Sequence, residues 1–483
     1  MASVVTPVNA TSPNVSSPST AEFTLSEILE ATRGRLRSGG DHGRIRGMAT
    51  DSRTLQPGQA FLAIRGPHFD GHAFTEEARS RGAGALIVEA GAGPAAAAGL
   101  PVIEVDQTTV AFGDLALAHR RRFAVPVIAV TGSCGKTTTK EMIAAVLGAS
   151  RRVLASVGTD NNQIGVPQTL LRLQPEHQAV VLEMGTNHPG ELARLCAIAQ
   201  PTIGVVTNIG LAHLEFFGSL AGVLQEKLTL VRALSGADLA IVNGDDPLIR
   251  RALTTQPPAA RQLTYGIGRS CDVQARRIEP LASGTRFTIE GPGVAEPTTV
   301  TLPLLGRHNV INALAAAACG VPWGLPPQEI AAALAQLRPV AMRLEPVRRN
   351  GLTILNDCYN ANPTSMRQAL EVLREHPGPR PRVFICGDMA ELGPGAPQFH
   401  REVGRWAREA QVDVIIAIGR HAQAVLEGAV TAGRGGEDRA CATLAEAEAS
   451  LEQLPLVRAT VLVKGSRAMG LERIVDRLME RAA

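Results

Sequence analysis

The segment Val127-Ile-Ala-Val-Thr-Gly-Ser-Cys-Gly-Lys-Thr-Thr-Thr139 constrains the fold more than any other part of this chain. Its apolar start reads as a buried strand, Gly132 and Gly135 make a tight turn, and a helix is predicted from Lys136 to about Leu147. A strand that turns on glycines into a helix leaves backbone N–H groups pointing into one small volume, at the positive end of a helix dipole. That volume suits phosphate. Lys136 adds a positive charge, the Thr137 hydroxyl can bind Mg²⁺, and Ser133, Cys134 and Thr138 belong to the same cradle. The form T-G-x-x-G-K-T-T is shorter than the standard phosphate loop, whose first glycine is replaced here by Val130. A turn that merely caps a helix has no need of Lys-Thr in this register. The expected ligand is a nucleoside triphosphate, ATP.

Composition removes several alternatives. The 483 residues predict roughly three domains at about 150 residues each. Net charge is only +3 with both signs interspersed, and aromatics make up 3%, so neither a basic face nor a stacking platform points to nucleic acid. The seven cysteines include no C-x-x-C pair, which argues against a disulfide framework or a zinc site and fits a reducing cytoplasm. No apolar run has transmembrane length. Residues 1–21, rich in Ser, Thr, Pro, Val and Asn, lack the basic start and apolar stretch of a signal peptide and read as a disordered tail.

Three blocks follow the tail. Residues 22–123 hold short elements: helices near 26–33 and 109–123, strands near 60–64 and 85–88, and a Gly-Pro-Ala loop over 90–99. In 124–338, strands at 126–131, 179–183, 203–208, 239–243 and 300–305 alternate with helices, the pattern of a mostly parallel sheet covered on both faces. Leu337-Arg-Pro339 interrupts the pattern as a hinge. In 339–483 the alternation restarts with strands at 352–356, 382–387, 412–418 and 460–464; no G-x-G-x-x-G follows the first, so a dinucleotide site is not indicated there. The expected class is α/β throughout.

Ligands of open α/β sheets bind beyond the carboxyl ends of the strands. There the second central strand delivers Glu183, and the third leads to His213 and Glu215. A carboxylate ending an apolar strand beside a phosphate loop is suited to Mg²⁺, although a strand-end salt bridge would also satisfy it. His213 alone reads equally as a satisfied structural histidine. Cys134 admits two readings. The helix N-terminus and Lys136 would favour its thiolate, lowering its pKa below the usual value; alternatively the side chain turns into the sheet as an inert small residue.

The chain resembles the Mur ligases, the ATP-dependent enzymes that extend the peptide of bacterial cell-wall precursors. The resemblance covers nearly everything after the tail. It rests on Asp51-Ser-Arg53, Gly58-Gln-Ala-Phe-Leu-Ala-Ile-Arg-Gly66 and Phe69-Asp-Gly-His72 in the first block. In the second it rests on the phosphate loop, Asn161-Asn-Gln-Ile-Gly-Val-Pro167, Glu183-Met-Gly185, residues 208–215 and Gly306-Arg-His-Asn-Val-Ile-Asn-Ala313. In the third it rests on Asn356-Asp-Cys-Tyr-Asn-Ala-Asn-Pro363, Gly387-Asp-Met-Ala-Glu-Leu-Gly393 and Val463-Lys-Gly-Ser-Arg467. The D-x-Y-N-A-N-P and G-D-M-x-E-L-G patterns resemble the member that adds D-Ala-D-Ala to a UDP-N-acetylmuramoyl-tripeptide through an acyl phosphate. The member adding the third residue to the dipeptide is the alternative. Folylpolyglutamate and cyanophycin synthetases share much of the central block but not the UDP-type first block or the D-x-Y-N-A-N-P pattern.

This resemblance implies a small UDP-binding domain, a central ATP-binding domain and a C-terminal Rossmann-like ligase domain; composition adds the expectation of no membrane insertion and no nucleic acid, and a monomer is expected. It implies that Lys136, Glu183, His213 and Lys227 are catalytic, and that Thr137, Glu183, His213 and Lys227, the last as a carbamate, hold Mg²⁺. A solvated helix lysine is the plain alternative for Lys227. Asn312 would meet adenine, and Arg343 and Asp357 the ATP phosphates and ribose. Ser52, Arg53, Asn161, Asn162, Asn360 and Asn362 would contact the other substrates. The family motif N-x-N-N has Thr159 at its first position here, which leaves one substrate or loop contact open.

Overall fold

A computed structural model describes residues 19–40, 43–66, 69–92, 99–268, 270–433, 437–454, 456 and 458–481. Residues 1–18 of the expected tail and 93–98 of the expected loop lie outside the described residues. The described residues fall into two compact units. One holds the chain up to Val125 with Leu154–Glu183 and Ala197–Gln200; the other holds Pro126–Val153, Met184–Cys196 and everything from Pro201 on.

In the first unit, the strands Arg35–Ser38, Val102–Val105, Ala85–Glu89, Ala60–Leu62 and Met48–Ala49 form a sheet in that order, antiparallel only at the first pair. The helix Leu25–Thr32 starts where Thr24 and Glu27 form a reciprocal capping box. Residues 19–21, the described end of the expected tail, are ordered. Ala21 has no exposed surface, and the Thr20 and Ala21 N–H groups donate to the Leu171 carbonyl at 3.2 and 3.1 Å. Two backbone bonds and a buried methyl order a segment whose composition alone reads as disordered. Of this unit's strands of two to four residues only Ala60–Leu62 was expected; the others are too short to show periodicity.

The second unit contains two sheets. In the central one, Val127–Thr131, Ile203–Val206, Leu239–Asn243 and Arg261–Gly266 run parallel in that order. Their residues are apolar on both faces because helices pack against them, Lys136–Gly148 and Arg307–Gly320 beside each other and Leu220–Arg232 over Val206, Ala240 and Val242. Beyond them the expected alternation fails. Val273–Leu281, Gly284–Glu290 and Thr298–Leu302 form an antiparallel meander at the sheet edge, and the last strand stops before Pro303, which has no N–H for a ladder. The expected strand 203–208 stops at Val206 because Thr207 and Asn208 turn to the phosphate loop.

The C-terminal sheet has the order Glu345–Arg349, Leu352–Asp357, Thr460–Lys464, Arg382–Gly387, Val414–Ile418, Arg439–Cys441, parallel except at the first pair. Alternate side chains along its strands feed two apolar cores, one around Leu355, Phe384 and Leu462 and the other around Ile354, Ile385 and Val461. A sheet buried on both faces leaves its polar chemistry at the strand ends. There Asp357, Gly387 and Lys464 end their strands.

Candidate functional site

The phosphate loop is held open by its neighbours. Thr207 donates its hydroxyl to the Cys134 carbonyl at 2.6 Å, and the Asn208 amide both donates to that carbonyl and accepts from the Cys134 N–H, each at 3.0 Å. The Ser133 hydroxyl accepts from Gly210 N–H at 2.8 Å and donates to the Gly210 carbonyl at 3.1 Å. Gly132 has φ +145°, and a Cβ there would lie 1.9 Å from the Thr207 hydroxyl. Gly135 has φ +79°, and a Cβ there would lie 2.5 Å from Asn312 Oδ1. Both glycines are therefore required by conformation and by close approach. Lys136 donates to the Gly132 carbonyl at 2.9 Å, which folds its ammonium over the loop. Thr138, half-buried in the first helical turn, completes the cradle. Asn312 is buried beside Gly135, with its amide donating to Asn309 at 3.1 Å. Asn208 is not among the site residues expected from the sequence, although it ends an expected strand and opens the segment 208–215 that carries the resemblance.

Residues of the C-terminal region meet the same loop. Arg343 Nη2 donates to the Thr137 hydroxyl at 3.1 Å, and the guanidinium lies 4.2 Å from the Tyr359 ring centre. Asp357 pairs with the buried Lys464 ammonium at 2.6 Å. Burial pushes the Asp357 carboxyl above its usual range, opposed by Lys464 and Arg343. Lys464 also donates to the Asn360 carbonyl at 2.8 Å, while the Asn360 side chain accepts from Ala361 N–H at 2.9 Å. Asn362 caps the helix Pro363–Glu375 and lies 3.5 Å from Cys134 Sγ.

Enclosure, not that contact, corrects the thiolate expectation for Cys134. Enclosure of the thiol pushes its pKa up, outweighing the Asn362 hydrogen bond and the nearby Lys136 charge. The side chain does not turn into the sheet either; it faces Asn362.

Lys227 is not a solvated helix lysine. It has no exposed surface, and burial, followed by the charge of Lys136, pushes its ammonium down to about 7. Glu226, the next residue back, accepts from the Thr186 hydroxyl at 3.1 Å and from the Gly190 and Leu192 N–H groups at 2.9 and 3.0 Å. Those bonds pin the helix Leu220–Arg232 where Lys227 Nζ reaches the Thr186 carbonyl at 3.5 Å. Neither Glu226 nor Thr186 was singled out from sequence.

His213 sits at φ +53° with Nδ1 against the Glu391 carboxylate, whose pKa is lowered mainly by that hydrogen bond. The contact orients the ring and leaves Nε2 as the nitrogen able to bind a metal.

In the first unit, Glu183 is buried. Its Oε1 accepts from the Asn161 amide at 2.7 Å, and Oε2 has no hydrogen-bond partner among the described residues. Asn162 Oδ1 accepts from the Ile164 and Gly165 N–H groups, both at 3.0 Å, so that side chain shapes the loop. The Ser52 hydroxyl donates to Glu77 at 2.9 Å, and the exposed Arg53 pairs with Asp51 at 2.7 Å. Met184, the residue after Glu183, belongs to the second unit. Its N–H donates to the Val130 carbonyl at 2.8 Å, and its own carbonyl accepts from the Thr131 hydroxyl at 2.9 Å.

A half-satisfied buried carboxylate fits a divalent cation, because only a cation or a proton donor compensates its desolvation. Among the described residues, no three His, Cys, Asp or Glu side chains cluster as a metal cage. The expected donor set contains only two such residues, Glu183 and His213, with Thr137 and a modified Lys227 supplying the other oxygens.

Three family profiles match in succession: the Mur ligase family catalytic domain over residues 44–120, the Mur ligase middle domain over 130–320, and the Mur ligase glutamate ligase domain over 342–467. The UDP-N-acetylmuramoyl-tripeptide–D-alanyl-D-alanine ligase of Escherichia coli (strain K12) is 39% identical over 472 residues, 95% of this chain and 98% of that protein. Among solved structures, MurF from Acinetobacter baumannii matches with a TM-score of 0.87 at 35% identity, over 96% of this chain and 100% of that one. The MurF ligase of Thermotoga maritima, solved in complex with ADP, matches with a TM-score of 0.80 at 26% identity, over 91% and 98%.

Proposed function

Because this chain belongs to the Mur ligase family, we propose that it joins D-alanyl-D-alanine to UDP-N-acetylmuramoyl-tripeptide in the cytoplasm, converting ATP to ADP and phosphate. The observation that carries this reading is the meeting of Arg343 and Asn362 with Thr137 and Cys134 of the phosphate loop. A nucleotide held by the loop is thereby exposed to a second set of charged groups, as phosphoryl transfer to a carboxylate requires.

The tripeptide carboxylate takes the γ-phosphoryl group, giving an acyl phosphate and ADP. The D-Ala-D-Ala amine then adds to the acyl carbon, and the tetrahedral adduct expels phosphate as the amide forms. Lys136 and the loop N–H groups balance charge on the phosphates, and Arg343 adds to them from the other side. Asp357 is assigned to the ribose and Asn312 to the adenine. Ser52, Arg53, Asn161, Asn162, Asn360 and Asn362 are assigned to the other substrates, although Asn161 and Asn162 also serve Glu183 and their own loop.

Mg²⁺, when bound, neutralises phosphate charge and draws the reacting oxygens together. Thr137, Glu183 and His213 would offer it ligands. Lys227 is proposed to react as a neutral amine with CO₂, since burial already favours the neutral form. Its carbamate would supply an anionic oxygen suited to a hard cation.

Phosphate release tests the reaction. Mg-ATP with UDP-N-acetylmuramoyl-tripeptide and D-Ala-D-Ala should release one phosphate per amide formed. Turnover with a UDP-dipeptide and a free diamino acid, and none with D-Ala-D-Ala, would move the chain to the third-residue ligase.

A further inference from the structure

We propose that Gly210 and Thr364 form a steric gauge that sets how closely the C-terminal helix Pro363–Glu375 seats against the phosphate loop, which makes them positioning residues for the ligation proposed above. The inference rests on that reading for its kinetic consequence but not for its geometry.

Gly210 is buried and tied to the loop by two hydrogen bonds with Ser133. Its φ is outside the left-handed region, so its own backbone would accept alanine. The space would not. A Cβ at Gly210 would lie 2.5 Å from Thr364 Oγ1, 3.1 Å from its Cβ and 3.2 Å from its Cγ2. The three nearest obstacles thus belong to one side chain 154 positions later in the chain.

That side chain has little room to retreat. Threonine is stiff at χ1. Its hydroxyl already accepts from Leu211 N–H at 3.2 Å. The helix that carries it starts one residue earlier, under a capping box between Asn362 and Ser365. A methyl group at position 210 must therefore displace the whole helix start, and with it Asn362 from Cys134. A shift on the order of 1 Å in groups that align reacting atoms can cost about a hundredfold in rate.

Four variants test the gauge: Gly210→Ala, Thr364→Gly, their combination, and Thr364→Ile, which fills the same space from the opposite side. We expect Gly210→Ala and Thr364→Ile each to lower kcat at least tenfold. The combination of Gly210→Ala with Thr364→Gly should recover at least fivefold over Gly210→Ala alone. Hydrogen exchange in a peptide spanning 207–214 should quicken in Gly210→Ala and slow again in the combination, a readout independent of activity. A double variant no better than Gly210→Ala, or a Thr364→Ile variant with parental kcat, overturns the gauge, and Thr364→Ile decides the matter if Gly210→Ala does not fold. If the parent releases no phosphate with its proposed substrates, the ligase reading fails, while the exchange pattern still decides the gauge.

Discussion

The Arg343 guanidinium donates to the Thr137 hydroxyl at 3.1 Å although the two residues are 206 positions apart. The guanidinium carbon lies over the Tyr359 ring, 4.2 Å from its centre, which helps hold it in place. A lysine could supply the charge but neither the stack nor the fixed donor fork. Arg343→Lys should therefore cost about tenfold in kcat/KM for ATP and Arg343→Ala about a hundredfold, each with little change in melting temperature. Steady-state kinetics at varied ATP will check this, and a fully active Arg343→Lys would reduce the residue to a bare charge.

Glu183 separates function from stability. Its Oε2, without a hydrogen-bond partner among the described residues, makes it costly to bury unless a cation is present. Glu183→Ala should lower turnover at least about a hundredfold. Glu183→Gln should be nearly as inactive, yet melt no lower than the parent when both are freed of metal with a chelator. A clear loss of stability in the glutamine variant would mean that the carboxylate has a protein partner in solution.

Lys227→Ala should lose most activity and regain part of it with short carboxylates that refill the space. Incubating the parent with ¹³C-bicarbonate should give a carbamate resonance that the variant lacks. If that resonance is absent from an active parent, the lysine acts as an amine or an ammonium.

Stability should fall on mild acidification. Burial pushes His308 down to about 4, with Lys464 second, and burial also lowers His119, His376 and His400. Each of these rings takes up a proton less readily in the folded chain, whereas unfolded histidines titrate near pH 6.5. Their contribution is thus full above about pH 6.5 and declines as the pH falls towards 4, because the unfolded state binds the protons first. Melting temperature measured from pH 7 to 5 should drop, and less steeply in His308→Asn. An identical slope in that variant would remove His308 from the account.

Cys134 should alkylate slowly at neutral pH and faster as the pH rises, since its enclosed thiol is raised. Cys134→Ser should retain activity. Rapid inactivation at pH 7 that the serine variant escapes would restore the low-pKa expectation.

The phosphate loop was legible because everything it needs lies within a few residues: apolar strand, glycines, Lys136 and Thr137. Strands such as Ala179–Glu183 and Thr460–Lys464 were legible to the residue because burial on both faces writes a continuous apolar run. Of the edge meander only the last strand was legible, and only in part, as the expected 300–305; the weaker alternation of a strand such as Gly284–Glu290 resembles loop sequence.

By itself, then, the sequence determined the α/β class, the nucleotide cradle and, through its motif resemblance, the family chemistry. These depend on local periodicity and on residue types at fixed spacing. Only the tertiary structure decided that Lys227 is buried rather than solvated, that the Cys134 thiol is raised and faces Asn362, that Glu391 orients His213, and that Gly210 must lack a side chain because Thr364 fills the space. Each of those depends on desolvation or contact between residues distant in the chain, and desolvation is a property of the surrounding packing, which no short stretch of sequence contains.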